Sequence, residues 1–143
     1  LPDASGMRIG LVVSEWNQEI TGSLARGARQ ALLDCGVSPD NILQWEVPGS
    51  FELPFGCRKM IREERPDAVI AIGSVVRGET AHFDYVCSAT AHGIGNLNLR
   101  EDVPVIFCVL TDDTMQQARD RSGGRHGNKG TEAAIAALKM AGL

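Results

Sequence analysis

The chain has 143 residues, the size of one ordinary domain, with 43% apolar and 22% charged residues, a balance that excludes a disordered chain. Its formal net charge is −4, so no basic surplus exists to neutralise a phosphate backbone, and nucleic acid is not expected as a partner. The longest apolar runs, such as Ala68 to Ile72 and Val105 to Leu110, fall far short of the roughly 20 residues that span a bilayer, and no membrane role is expected.

Short β-rich runs alternate with helical patterns along the whole chain. Met7 to Val13 is nearly continuous apolar sequence, the mark of a strand buried on both faces. Asn17 then stands where a cap is expected. Ile20, Leu24, Ala28, Ala31 and Leu32 recur at helical spacing, and Gly36 supplies the stop. Ile42 to Val47 reads as the second strand, ended by Pro48-Gly49. A helix over about Phe51 to Glu64 follows, with Pro54 tolerable in its first turn. Asp67 to Gly73 is the clearest strand, and it runs through a glycine-punctuated loop into a helix over about Thr80 to Asn96. Pro104 to Leu110 is the fourth strand. Helices over about Thr114 to Arg121 and Lys129 to Met140 close the chain around a glycine-rich turn. The order predicts a single α/β domain over 1–143: a three-layer α/β/α sandwich with a four-stranded parallel sheet, flavodoxin-like.

Cys35, Cys57, Cys87 and Cys108 lie far apart, mostly beside apolar residues, with no C-x-x-C pair. Buried free thiols in a reducing compartment are expected, not disulfides or a zinc site, and the cytoplasm is the expected home. No metal site is expected.

In sheets of this kind ligands bind outside the carboxyl ends of the strands. Four segments therefore qualify: Ser14 to Asn17, Pro48 to Glu52, Gly73 to His82 and Thr111 to Thr114. Each has a plain structural reading. Trp16 covers a sheet edge, Glu52 complements a helix dipole, and His82 is a surface histidine near a helix start. Gly73 to Gly78 lacks the lysine of a Walker loop. Yet Gly78-Glu79-Thr80 leads into a helix N-terminus that attracts phosphate, and Arg121, Arg125 and Lys129 surround a glycine turn that suits an anion. Together these residues fit a polar heterocycle and a phosphorylated partner.

Four stretches carry a more specific signal: Val47 to Pro54 (VPGSFELP), Gly73 to Tyr85 (GSVVRGETAHFDY), Val103 to Thr111 (VPVIFCVLT) and Arg121 to Gly130 (RSGGRHGNKG). In order and spacing the chain closely resembles the lumazine synthases of riboflavin biosynthesis. The resemblance implies a transferase that condenses 5-amino-6-(D-ribitylamino)uracil with 3,4-dihydroxy-2-butanone 4-phosphate. The products are 6,7-dimethyl-8-ribityllumazine, phosphate and water, and no cofactor is used.

By the same resemblance Trp16 stands where an aromatic, often Phe, stacks on the pyrimidine ring. Ser50, Phe51 and Glu52 line the ribityl chain, and Ser74, Val75 and Val76 present backbone groups to the uracil edge. Glu79 and Thr80 form the butanone-phosphate seat, Arg121 binds the phosphate and Lys129 supports it. Phe107 matches an aromatic supplied by a neighbouring subunit. His82 matches the proton-transfer residue, a role that suits an imidazole. The resemblance also implies pentamers, twelve of which build a 60-subunit icosahedral cage in some members, and riboflavin synthase as a protein partner. The turn Ser122 to Asn128 carries no insertion and looks like that of the cage-forming members.

Two rivals differ in class. A non-catalytic flavin- or lumazine-binding module would keep the pocket but lose His82 or Arg121, and both are present. A phosphoacceptor receiver domain is suggested by Asp112-Asp113, but needs an acceptor Asp after the third strand, where Gly73-Ser74 stands.

Overall fold

The computed structural model describes residues 1–143. In chain order the elements are β1 (Ile9–Ser14), α1 (Gln18–Asp34), β2 (Ile42–Val47), α2 (Leu53–Glu64), β3 (Ala68–Val76), α3 (His82–Arg100), β4 (Val105–Asp112), α4 (Met115–Arg121), β5 (Ser122–Gly124), β6 (Gly127–Asn128) and α5 (Lys129–Ala141). The first four strands form one parallel sheet in the order β2-β1-β3-β4. Parallel neighbours need crossover connections, and the helices supply them on both faces, as the three-layer reading predicts.

Strand pleating divides the core. Leu11, Val13, Ile70 and Ile72 point one way, against Leu24 and Leu32 of α1 and Leu138 of α5. Val12, Val69, Ala71 and Val109 point the other way, against Leu53, Met60 and Ile61 of α2 and Phe83 of α3. All six residues of β1 are buried, as its unbroken apolar run requires. On the sheet edge, β2 instead alternates half-buried Leu43, Trp45 and Val47 with exposed Gln44 and Glu46.

Several boundaries differ from the sequence reading. The third and fourth strands extend to Val76 and Asp112, because β3 and β4 pair without a break from Val69↔Val105 to Val76↔Asp112. Ser74, Val75 and Val76 are therefore strand residues, not loop. The second helix begins with a 3-10 turn at Ser50–Glu52, and the third starts at His82 instead of Thr80. Asn17 does not cap α1 with its side chain. It sits in the left-handed region at φ 63°, and its amide donates to Ser74 Oγ at 3.1 Å and to Met115 Sδ at 3.4 Å. Gly36 does end α1: its N–H and that of Val37 donate to the Leu33 and Leu32 carbonyls, closing the last turn. The glycine-rich turn is a short antiparallel β5–β6 hairpin, with Gly123 and Gly127 at positive φ. All four cysteines are free. Cys57 and Cys108 are buried, but Cys35 and Cys87 are only half-buried, contrary to expectation. No helix is long and apolar enough to cross a membrane.

Candidate active site

A cavity of about 610 Å³ opens at the carboxyl ends of β1, β2 and β3. That volume suits a ligand larger than a simple ion. Three features of the chain create it. β1 ends and the backbone turns at Trp16, which is 54% exposed and forms one wall. After β2, Pro48-Gly49 leads to the 3-10 turn that carries Ser50, Phe51 and Glu52 to the opposite side. Between them β3 outruns β1. Past the Val13↔Ile72 pair, Gly73 to Val76 have no strand neighbour on the β1 side, and Ser74, Val75 and Val76 line the cavity there.

The close approach of the 3-10 turn to β3 depends on Gly73, where a Cβ would lie 2.5 Å from Ser50 Oγ. Ser50 is buried with its hydroxyl unpartnered inside the chain, and its carbonyl accepts from Thr90 Oγ1 of α3 at 3.2 Å. Thr90 thus pins the turn to the helix behind it.

His82 is the first residue of α3. It is exposed, it lines the cavity, and its imidazole makes no hydrogen bond within the chain. Thr80 lines the same cavity, and its Oγ1 accepts from the His82 N–H at 3.3 Å. Glu79 is exposed and does not line the cavity. Arg77, in the same loop, is drawn away from the opening. Its Nε donates to Asp113 Oδ1 at 2.7 Å, and its guanidinium lies 4.5 Å from the centre of the Phe83 ring. Phe83 and Val86 complete the wall, one and four residues beyond His82 on the inward side of α3. The sequence reading missed both, although this helical spacing marks them.

Phe107, Arg121 and Lys129 lie elsewhere. They line a separate cavity of about 440 Å³ at β4, the other edge of the sheet. Phe107 is 45% exposed there. Lys129 Nζ pairs with Glu132 at 3.2 Å. Arg121 Nη1 donates to Gln117 O at 3.1 Å and to Asp112 Oδ1 at 3.4 Å. One chain thus gathers Trp16, Ser50, Phe51, Glu52, Ser74, Val75, Val76, Thr80 and His82 around one cavity, and Phe107, Arg121 and Lys129 around another. No three His, Cys, Asp or Glu side chains converge as a metal-binding group.

Residues 6–143 match the family model described as 6,7-dimethyl-8-ribityllumazine synthase. The chain belongs to this family. Proteins named 6,7-dimethyl-8-ribityllumazine synthase are similar over nearly its whole length. That of Flavobacterium johnsoniae is 60% identical over 141 residues, covering 99% of this chain and 74% of the relative. That of Christiangramia forsetii is 58% identical over 144 residues, covering 100% and 86%. That of Parabacteroides distasonis is 57% identical over 140 residues, covering 98% and 88%. In this member of the 6,7-dimethyl-8-ribityllumazine synthase family, one cavity thus has an aromatic wall at Trp16 and a helix start at His82.

Proposed function

We infer that this protein condenses 5-amino-6-(D-ribitylamino)uracil with 3,4-dihydroxy-2-butanone 4-phosphate to give 6,7-dimethyl-8-ribityllumazine, phosphate and water. Family membership over residues 6–143 supports the reaction. The observation that carries the assignment to this site is the joint presence of Trp16, Glu52 and His82 around one cavity at the strand ends.

In this reading the pyrimidine stacks on Trp16, and the unpaired edge of β3 at Ser74, Val75 and Val76 meets its polar rim. Ser50, Phe51 and Glu52 line the ribityl chain; the unpartnered Ser50 hydroxyl and the Glu52 carboxylate are the polar groups available to its hydroxyls. The phosphate sits at the start of α3, against the Thr80 hydroxyl and the backbone leading into His82. Reaction begins with an imine between the pyrimidine amine and the ketone. Imine formation releases one water, a proton then leaves carbon as phosphate departs, and ring closure by the ribitylamino nitrogen releases a second water. His82, free of intrachain partners beside that seat, takes and returns the protons.

Phe107, Arg121 and Lys129 complete the site from a neighbouring subunit, Phe107 covering the ring while Arg121 and Lys129 meet the phosphate. Their grouping at the free β4 edge, away from the His82 cavity, supports this division. Large exposed apolar side chains also favour association: Phe55 is 66%, Tyr85 75% and Leu99 85% exposed. A heterologous contact of this kind closes only in a ring. The resemblance implies a pentameric ring, and the insertion-free β5–β6 hairpin favours the 60-subunit cage. Residues 1–143 act as one domain, with riboflavin synthase as partner by resemblance alone. The four free thiols suit the cytoplasm.

Mixing the chelator-treated protein with both substrates tests the assignment. Appearance of the lumazine chromophore with stoichiometric phosphate is expected. Ligand binding without turnover would instead favour the non-catalytic lumazine-binding module.

A further inference from the structure

Asp112 is the one carboxylate at the strand ends that lies buried. It is the last residue of β4, on the same face as Cys108 and Leu110, with its side chain 6% exposed. Its Oδ2 has no hydrogen-bond partner, and its Oδ1 accepts from Arg121 Nη1 at 3.4 Å. A buried carboxylate with half its acceptors idle is a cost to the fold and calls for a function. Burial pushes the carboxyl above its usual range, Arg121 opposes that rise, and Asp113 adds to it.

The guanidinium shows what Asp112 does. Both protons of Arg121 Nη1 are engaged, one by Asp112 and one by the Gln117 carbonyl at 3.1 Å. Gln117 is itself fixed: its N–H donates to Thr114 Oγ1 at 3.2 Å, and its Oε1 accepts from the Asp113 N–H at 2.8 Å. Nε and Nη2 of Arg121 make no hydrogen bond within the chain. Those two nitrogens form a donor fork that matches two oxygens of a phosphoryl group. The Asp113 carboxylate plays no part in this, since it is taken by Arg77.

We propose that Asp112 is a positioning residue: by holding Arg121 Nη1, it aims the free Nε–Nη2 fork at the phosphate of the butanone substrate. The inference rests on the reading of Arg121 as the phosphate-binding arginine. Steady-state kinetics with each substrate varied in turn tests both. Arg121→Ala is expected to raise KM for the phosphorylated ketone about tenfold or more. Asp112→Ala is expected to raise the same KM about fivefold, with KM for the pyrimidine changed less than about twofold. Asp112→Asn keeps the acceptor oxygen and should lie within about twofold of the parent. In an Arg121→Ala background, Asp112→Ala should add nothing. Asp112→Ser, too short to reach the guanidinium, replaces the alanine variant if that chain does not fold. Equal rises in both KM values, no rise at all, or an additive effect without Arg121 would overturn the role of Asp112 alone. An Arg121→Ala enzyme with unchanged KM would overturn the reading of Arg121, and the positioning role with it.

Discussion

At the residue scale, the side chains that matter divide by whether the fold leaves them a partner. His82 has none within the chain and stands at the cavity. His82→Ala should therefore lower kcat about a hundredfold or more, with KM for the ribityl-uracil nearly unchanged, since no stacking or ribityl contact is lost. Single-turnover kinetics measures it; an unchanged kcat would remove His82 from proton transfer. Cys57 and Cys108 are the opposite case. Burial pushes both thiols up to about 12, with Glu132 adding to the rise at Cys108. In the unfolded chain such thiols ionise near about pH 8.5. Below that pH neither state gives up the protons, and the stabilisation is fully present. Between about pH 9 and 12 the unfolded chain releases protons that the folded chain retains, so stability falls as pH rises. Urea denaturation midpoints across this range should drop in the parent and drop less in a Cys57→Ala, Cys108→Ala double variant. At pH 8, alkylation of these two thiols should await unfolding.

At the scale of elements, close contact between backbones sets the arrangement. Gly130, in the first turn of α5, faces α1 so closely that a Cβ would lie 2.0 Å from the Leu24 carbonyl oxygen. Gly130→Ala should cost about 1–3 kcal/mol, because one helix must move away from the other. Chemical denaturation would show it; full retention of stability would mean that the α1–α5 spacing is adjustable. The runs Met7 to Val13 and Asp67 to Gly73 made β1 and β3 legible from sequence, since burial on both faces leaves a continuous apolar signature. The extension of β3 through Ser74 to Val76 was not legible. It depends on pairing with β4, some 36 residues later, and no local pattern records that. Asn17 misled for a related reason: its polar side chain serves Ser74 and Met115, not the helix it precedes. Phe107 was expected from a neighbouring subunit, but that Arg121 lies with it was not legible, because its place at the β4 edge is set by several elements at once.

At the scale of the whole molecule, the proposed site exists only where two subunits meet. Sedimentation velocity and electron microscopy should therefore find species that are multiples of five chains, with a hollow 60-subunit particle dominant. A single five-chain species across concentrations and buffers would overturn the cage while leaving the reaction in place. The parting of His82 from Arg121 between two cavities also makes the enzyme genetically divisible. Assayed with the phosphorylated ketone well below its KM, a His82→Ala chain and an Arg121→Ala chain should each be crippled alone, yet coexpressed they should rescue one another. In a randomly mixed ring about a quarter of the boundaries join an intact His82 to an intact Arg121, and activity should return in that proportion.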